Sequence, residues 1–152
     1  MEARDGIGLK ISNDTLQLID QTWLPHTEQW LTITDTPAMI EAIHGLKVRG
    51  APMIGIAAAL FLATKASAGA GADSLADDLA RLRGARPTAV NLFWALDLMK
   101  RVLDANSGAS NRELYELLRD AAHRLREEDV AICKRIGQHG AGDGSRYSPN
   151  PC

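Results

Sequence analysis

The chain has 152 residues, 45% hydrophobic and 24% charged, one domain's worth of ordinary globular composition and enough to enclose a core. A net charge of −2 provides no basic footprint for nucleic acid or an anionic membrane surface, so neither is an expected partner. Cys133 and Cys152 form no C-x-x-C pair, which points to a reducing, cytoplasmic compartment, and MEARDGIGLK lacks the apolar core of a secretory signal.

The first third reads as short strands. Ile7, Leu9 and Ile11 alternate with polar or small residues, Ser12-Asn13-Asp14 supplies turn chemistry, and Leu16 and Leu18 resume the alternation. Trp30-Leu31-Thr32-Ile33 follows after the Pro25 break as a third strand. Helices come next. Thr36 serves as N-cap and Pro37 as first helical residue, with Met39, Ile43 and Leu46 on one face. A second helix begins at Pro52. From Gly50 to Thr64 it carries no charge, so it belongs in the interior; it is shorter than the roughly 20 residues of a membrane span.

Ser74-x-x-Asp77 opens a third helix with Leu75, Leu79 and Leu82 at helical spacing. After Gly84-Ala85-Arg86-Pro87 a fourth runs from about Thr88 to Asp104, burying Leu92, Leu96, Met99 and Leu103. Ser110-x-x-Glu113 is a capping box for a long fifth helix with Leu114, Leu118, Ala121, Leu125, Ile132 and Ile136 on its core face. Asp129 falls on that face, lining a polar cavity or sitting at its edge; Cys133 beside it reads as a small hydrophobe. From Gly140 the pattern ends in an irregular tail. The expected fold class is α+β: a short antiparallel β-meander, then a helical domain of about five helices. The expected units are residues 1–139 and the tail 140–152.

Two segments could do chemistry. Arg49-Gly50-Ala51-Pro52 leads into the second helix and Arg86-Pro87-Thr88 into the fourth. A helix start offers unpaired N–H groups and the positive end of the dipole, which together favour an anion. Gly50 and Ala51 leave that backbone open, and an arginine fork adds charge-assisted hydrogen bonds. The plainer reading is that both arginines are solvated or paired with acids. His26, His44, His123 and His139 have no metal-ligand spacing. No metal and no cofactor is expected, and the sequence has no nucleophile triad, P-loop or G-x-G-x-x-G.

Four segments in order, LIDQTWLP, IHGLKVRGAPMIGIAAA, RPTAVNLFWALDLM and EEDVAICKRIGQHG, resemble the N-terminal part of bacterial S-methyl-5-thioribose-1-phosphate isomerases. That superfamily is shared with regulatory subunits of a eukaryotic translation initiation factor's exchange complex. The resemblance covers about residues 7–141. It implies substrate-binding roles for Arg49, Gly50, Ala51 and Arg86, a phosphorylated pentose as ligand, and a homodimer for full-length members. It also implies an aldose-to-ketose isomerisation in methionine salvage, catalysed by a cysteine and an aspartate from a following Rossmann-like domain.

That domain is missing from residues 1–152, and the catalytic residues are therefore unknown. The end, RYSPNPC, departs from the family's pattern as truncation or a shifted reading frame would make it, so no role passes to Cys152. Three readings follow: an isomerase of 5-methylthioribose 1-phosphate or another phosphorylated pentose, with this chain alone inactive; a binding-only relative of the regulatory subunits; or a structural fragment without activity.

Overall fold

A computed structural model describes residues 8–142; Ile7 and residues 143–152 lie outside them. Strands β1 (Leu9–Ser12), β2 (Thr15–Ile19) and β3 (Trp30–Ile33) form an antiparallel meander in the order β1-β2-β3. Asn13 and Asp14 both take positive φ, 50° and 57°, the two-residue turn whose twist suits a hairpin. It pairs Leu9 with Leu18 and Ile11 with Leu16, while Leu16 also faces Ile33. Leu9, Leu16, Leu18 and Ile33 are thereby buried on one face. On the other, the Lys10 ammonium lies 4.3 Å from the centre of the Trp30 ring.

The helices are α1 (Thr36–His44), α2 (Ala51–Ser67), α3 (Ala72–Gly84), α4 (Val90–Ala105) and α5 (Asn111–Gly142). At the centre is α2, buried without a break from Ile54 to Thr64. The sheet covers it through β2, and α1, α3, α4 and α5 pack around the rest. Where α4 crosses, a Cβ on Gly55 would stand 2.7 Å from the Asn91 carbonyl oxygen and 3.0 Å from Ala95 Cβ. Only glycine allows that approach.

One polar tie runs through the core. The Thr36 hydroxyl donates to Asp78 Oδ1 at 2.6 Å, and Lys65 Nζ lies 3.7 Å from Asp78 Oδ2. Arg81 stands 3.9 Å from Oδ1. Asp78 is only 6% exposed, a burial that a carboxylate tolerates only when paired. Through it α3 is held to α1 and α2.

Several boundaries differ from the sequence expectation. Asp35, in extended conformation, caps α1 by accepting from the Ala38 N–H, which frees the Thr36 hydroxyl to turn inward. Gly45 ends that helix, so Leu46 leaves the helical period, takes φ 56° and is exposed. Helix α2 starts one residue early, at Ala51, and α4 two residues late, at Val90. Gly71 rather than Ser74 precedes α3, leaving Ser74 and Asp77 exposed within it.

The α5 capping box forms as expected. The Ser110 N–H and hydroxyl both donate to Glu113 Oε2 at 2.8 Å, and the Glu113 N–H donates back to Ser110 Oγ. These bonds, that from the backbone first, hold the Glu113 carboxyl below its ordinary range.

The largest correction concerns the far half of α5. Leu114, Leu118, Ala121 and Leu125 are buried, but Ile132 is 46% and Ile136 66% exposed, and Cys133 is exposed as well. The cause is length. With 32 residues, α5 is roughly 48 Å long, whereas the 17 residues of α2 span only about 26 Å. Arg126 is still buried and Asp129 half-buried, but from residue 130 on the described side chains of the helix are exposed, where it outruns the body it packs on. It continues through Gly142, so residues 140–142 of the expected tail are helical.

Replacing Gly55 by Ala should cost about 1–3 kcal/mol, because the added methyl meets backbone rather than a movable side-chain end. Urea unfolding of the two proteins measures this. Equal midpoints would show that α2 and α4 separate without penalty.

Candidate anion site

The segment before α2 is held from both sides. The Gln21 N–H donates to the Lys47 carbonyl at 2.9 Å, and an Arg49 Nη2–H donates to the Gln21 carbonyl at 3.3 Å. Lys47 pairs with Glu41 at 2.8 Å, and this hydrogen bond raises the lysine's pKa. Val48, between them, is buried at 1% exposure. The apolar anchor and these three polar ties fix where the backbone enters the helix.

At that entry Gly50 adopts φ 96°, ψ 127°, a region open essentially to glycine. No side chain caps α2, and Pro52 has no N–H to offer. The donors at this end are therefore backbone N–H groups facing outward around Ala51. The start of α4 is uncapped too, with Ala89 at its N-cap position.

The two helix starts meet at one cleft. Gly50, Ala51 and Ile54 form one wall, and Arg86, Thr88, Ala89, Val90 and Asn91 form the other, around a volume of about 380 Å³. Arg86 is half-buried, and its guanidinium pairs with no carboxylate among the described residues. Two uncapped helix N-termini and an unneutralised arginine make this cleft electropositive.

Of the four residues singled out in the sequence, Gly50, Ala51 and Arg86 thus line a common cleft. Arg49 is not part of its wall; it is exposed and tied to Gln21 beside it. Thr88 and Asn91 were not assigned roles from sequence, although they stand in the same RPTAVNL segment as Arg86. A second cavity, of about 180 Å³, opens between α2, α4 and α5. Asp129, half-buried, lines it together with Trp94, Glu128 and Ile132. Among the described residues no group of three or more His, Cys, Asp or Glu side chains comes together to hold a metal, and no helix is long and apolar enough to cross a membrane.

Comparison with known proteins gives this geometry a context. A methylthioribose-1-phosphate isomerase from Geobacter metallireducens is 46% identical over 139 residues, covering 86% of this chain and 39% of its own. The crystal structure of a 5-methylthioribose 1-phosphate isomerase from Pyrococcus horikoshii superposes with a TM-score of 0.81 at 31% identity, over 91% of this chain and 41% of that one. That of a translation initiation factor eIF-2B delta subunit from A. fulgidus superposes at 0.68 and 35% identity, over 81% and 37%. The chain thus spans about two fifths of the length of these relatives and corresponds to their N-terminal part. The model of the Initiation factor 2 subunit family matches residues 47–143, the stretch that holds both walls of the cleft, and the chain belongs to that family.

Proposed function

We propose that the cleft between the start of α2 and Arg86 binds the phosphate of a pentose 1-phosphate. The chain is then the N-terminal, substrate-anchoring part of an isomerase converting 5-methylthioribose 1-phosphate to 5-methylthioribulose 1-phosphate in methionine salvage. The observation that carries this reading is the half-buried guanidinium of Arg86, without a carboxylate partner, opposite the uncapped N-terminus of α2. A dianionic phosphate supplies what both lack: charge for the arginine and acceptors for the backbone N–H groups. The names of the isomerases at 46% and 31% identity point to the sugar.

Anchoring is only part of the chemistry. A phosphate on the anomeric oxygen holds the sugar closed, so ring opening needs an acid, and hydrogen must then move from C2 to C1. By resemblance, the cysteine and aspartate for these steps come from a Rossmann-like domain that follows in full-length members. What residues 8–142 contribute is position: they hold the phosphate so that C1 and C2 lie in a fixed place for groups supplied from elsewhere.

The similarity to the A. fulgidus delta subunit favours a second reading, in which the same cleft binds a sugar phosphate for recognition without turnover. Assay of a full-length protein for ketose phosphate separates the two.

Titration of the chain with ribose 1-phosphate or inorganic phosphate, followed by amide NMR, tests the site. The amides of Gly50 and Ala51 should shift, and Arg86→Ala should weaken binding by roughly tenfold to a hundredfold, the equivalent of about 1.5–3 kcal/mol for one charge-assisted hydrogen bond. Shifts confined to other helix starts would refute the assignment. In a chain extended to the relatives' length, Arg86→Ala should raise KM.

Gly50→Ala should cost about 1–3 kcal/mol of stability through the forced positive φ and weaken phosphate binding with it. Unchanged affinity would remove the α2 backbone from the site.

The 152-residue chain by itself should not produce ketose phosphate, since anchoring binds ground and transition states alike. Cys152, outside the described residues, is the control: turnover that disappears in Cys152→Ser would overturn this expectation.

A further inference from the structure

We infer that the cavity of about 180 Å³ between α2, α4 and α5 reads the far end of the sugar: it takes an uncharged 5-substituent such as methylthio and turns away a second phosphate. The inference rests on the reading of the neighbouring cleft as the 1-phosphate site. The two spaces are adjacent along both helices. On α2, Ala51 and Ile54 line the cleft, while Pro52, Gly55 and Ile56 line the cavity. On α4 the junction is Asn91, which lines both. Trp94 and Ala95 of the cavity wall follow it by about one helical turn, or roughly 5 Å. A ligand held by its phosphate in the cleft therefore reaches the cavity across the width of one sugar ring. Asn91 is half-buried, and its side-chain amide bonds to no other described residue. It leaves a donor and an acceptor for ring hydroxyls at the junction.

The chemistry of the wall sets what enters. Ile56, Leu125, Ile132 and Trp94 supply apolar surface, where a methylthio group gains by leaving water and by sulfur–aromatic contact. The volume, set against the roughly 30 Å³ that one water occupies in the liquid, admits several heavy atoms. The charged members of the wall are Glu128 and Asp129, and among the described residues no lysine, arginine or histidine lines it. Arg124 stands four residues before Glu128 and Arg126 three before Asp129, and both stay out of the lining. A phosphate on C5 would meet two carboxylates and lose water without gaining a cation. Cleft and cavity thus differ in sign, and the sugar is oriented by that difference.

The test is titration of the 152-residue chain with inorganic phosphate, 5-methylthioribose 1-phosphate, ribose 1-phosphate and ribose 1,5-bisphosphate. NMR follows the Gly50 and Ala51 amides and the Trp94 indole N–H. Every ligand should move the two amides, and the methylthio sugar should move the indole most. It should bind roughly tenfold tighter than ribose 1-phosphate, the increment typical of one small apolar group in a pocket. Ribose 1,5-bisphosphate should bind more weakly still, despite its greater charge. Asp129→Asn should narrow the gap between bisphosphate and methylthio sugar several-fold. Glu127→Gln, which removes the same charge outside the lining, should not; equal narrowing by both would reduce the effect to net charge and overturn the proposal. A bisphosphate bound as tightly as the methylthio sugar overturns it too. If the Gly50 and Ala51 amides shift while the three sugars bind alike and the indole stays still, the anion site stands and this proposal falls. If no ligand shifts those amides, the reading of the cleft fails first and takes this one with it.

Discussion

A helix that is apolar on every side is stable only when every side is covered, and α2 imposes that condition on the rest of the molecule. Burying Ile54, Ile56, Leu60, Phe61 and Leu62 is worth about 1.5–3 kcal/mol each, while the alanines between them let neighbouring backbones close in. The sheet, α1, α3, α4 and α5 all take their places from this requirement. A helix enclosed along its length can present only its ends, so the start at Gly50 comes out at the surface, held rigidly from behind. That is how a stretch made for burial positions a polar site.

Periodicity carried most of this. The inward leucines of β1 and β2, the stripe Leu92-Leu96-Met99-Leu103 of α4 and the Ser110–Glu113 box are local patterns, and they appear where the pattern puts them. The failures are places where a neighbour decides. Thr36 and Asp35 are both good caps, and only the buried Asp78 explains why the threonine turns inward. Ile132 and Ile136 continue the stripe of α5 past Asp129, and nothing local says that the packed body ends before it covers them. Period fixes which face a residue is on, not whether anything lies opposite.

The candidate site divides the same way. That Arg49 and Arg86 precede helices was visible, as was the freedom of Gly50. That α2 and α4 would begin at one cleft is a fact of packing, set by the close crossing at Gly55. Arg86 enters the cleft wall and Arg49 goes to the Gln21 carbonyl because β2's outgoing loop lies beside residue 47, a contact between segments 26 residues apart in sequence. Thr88 and Asn91 gain their places only through that crossing.

The buried tie among Thr36, Lys65 and Asp78 has an evolutionary consequence. Losing either Thr36 or Lys65 alone strands part of a charge in an apolar interior, whereas replacing the whole group by well-packed apolar residues removes the need for it. Effects at these three positions should therefore be strongly non-additive. Any lineage leaving this arrangement crosses a valley whose depth depends on the order of the steps, and removing the carboxylate first is the shallowest route. Positions 36, 65 and 78 are thus coupled across three helices, and a change at one alters what the other two can tolerate.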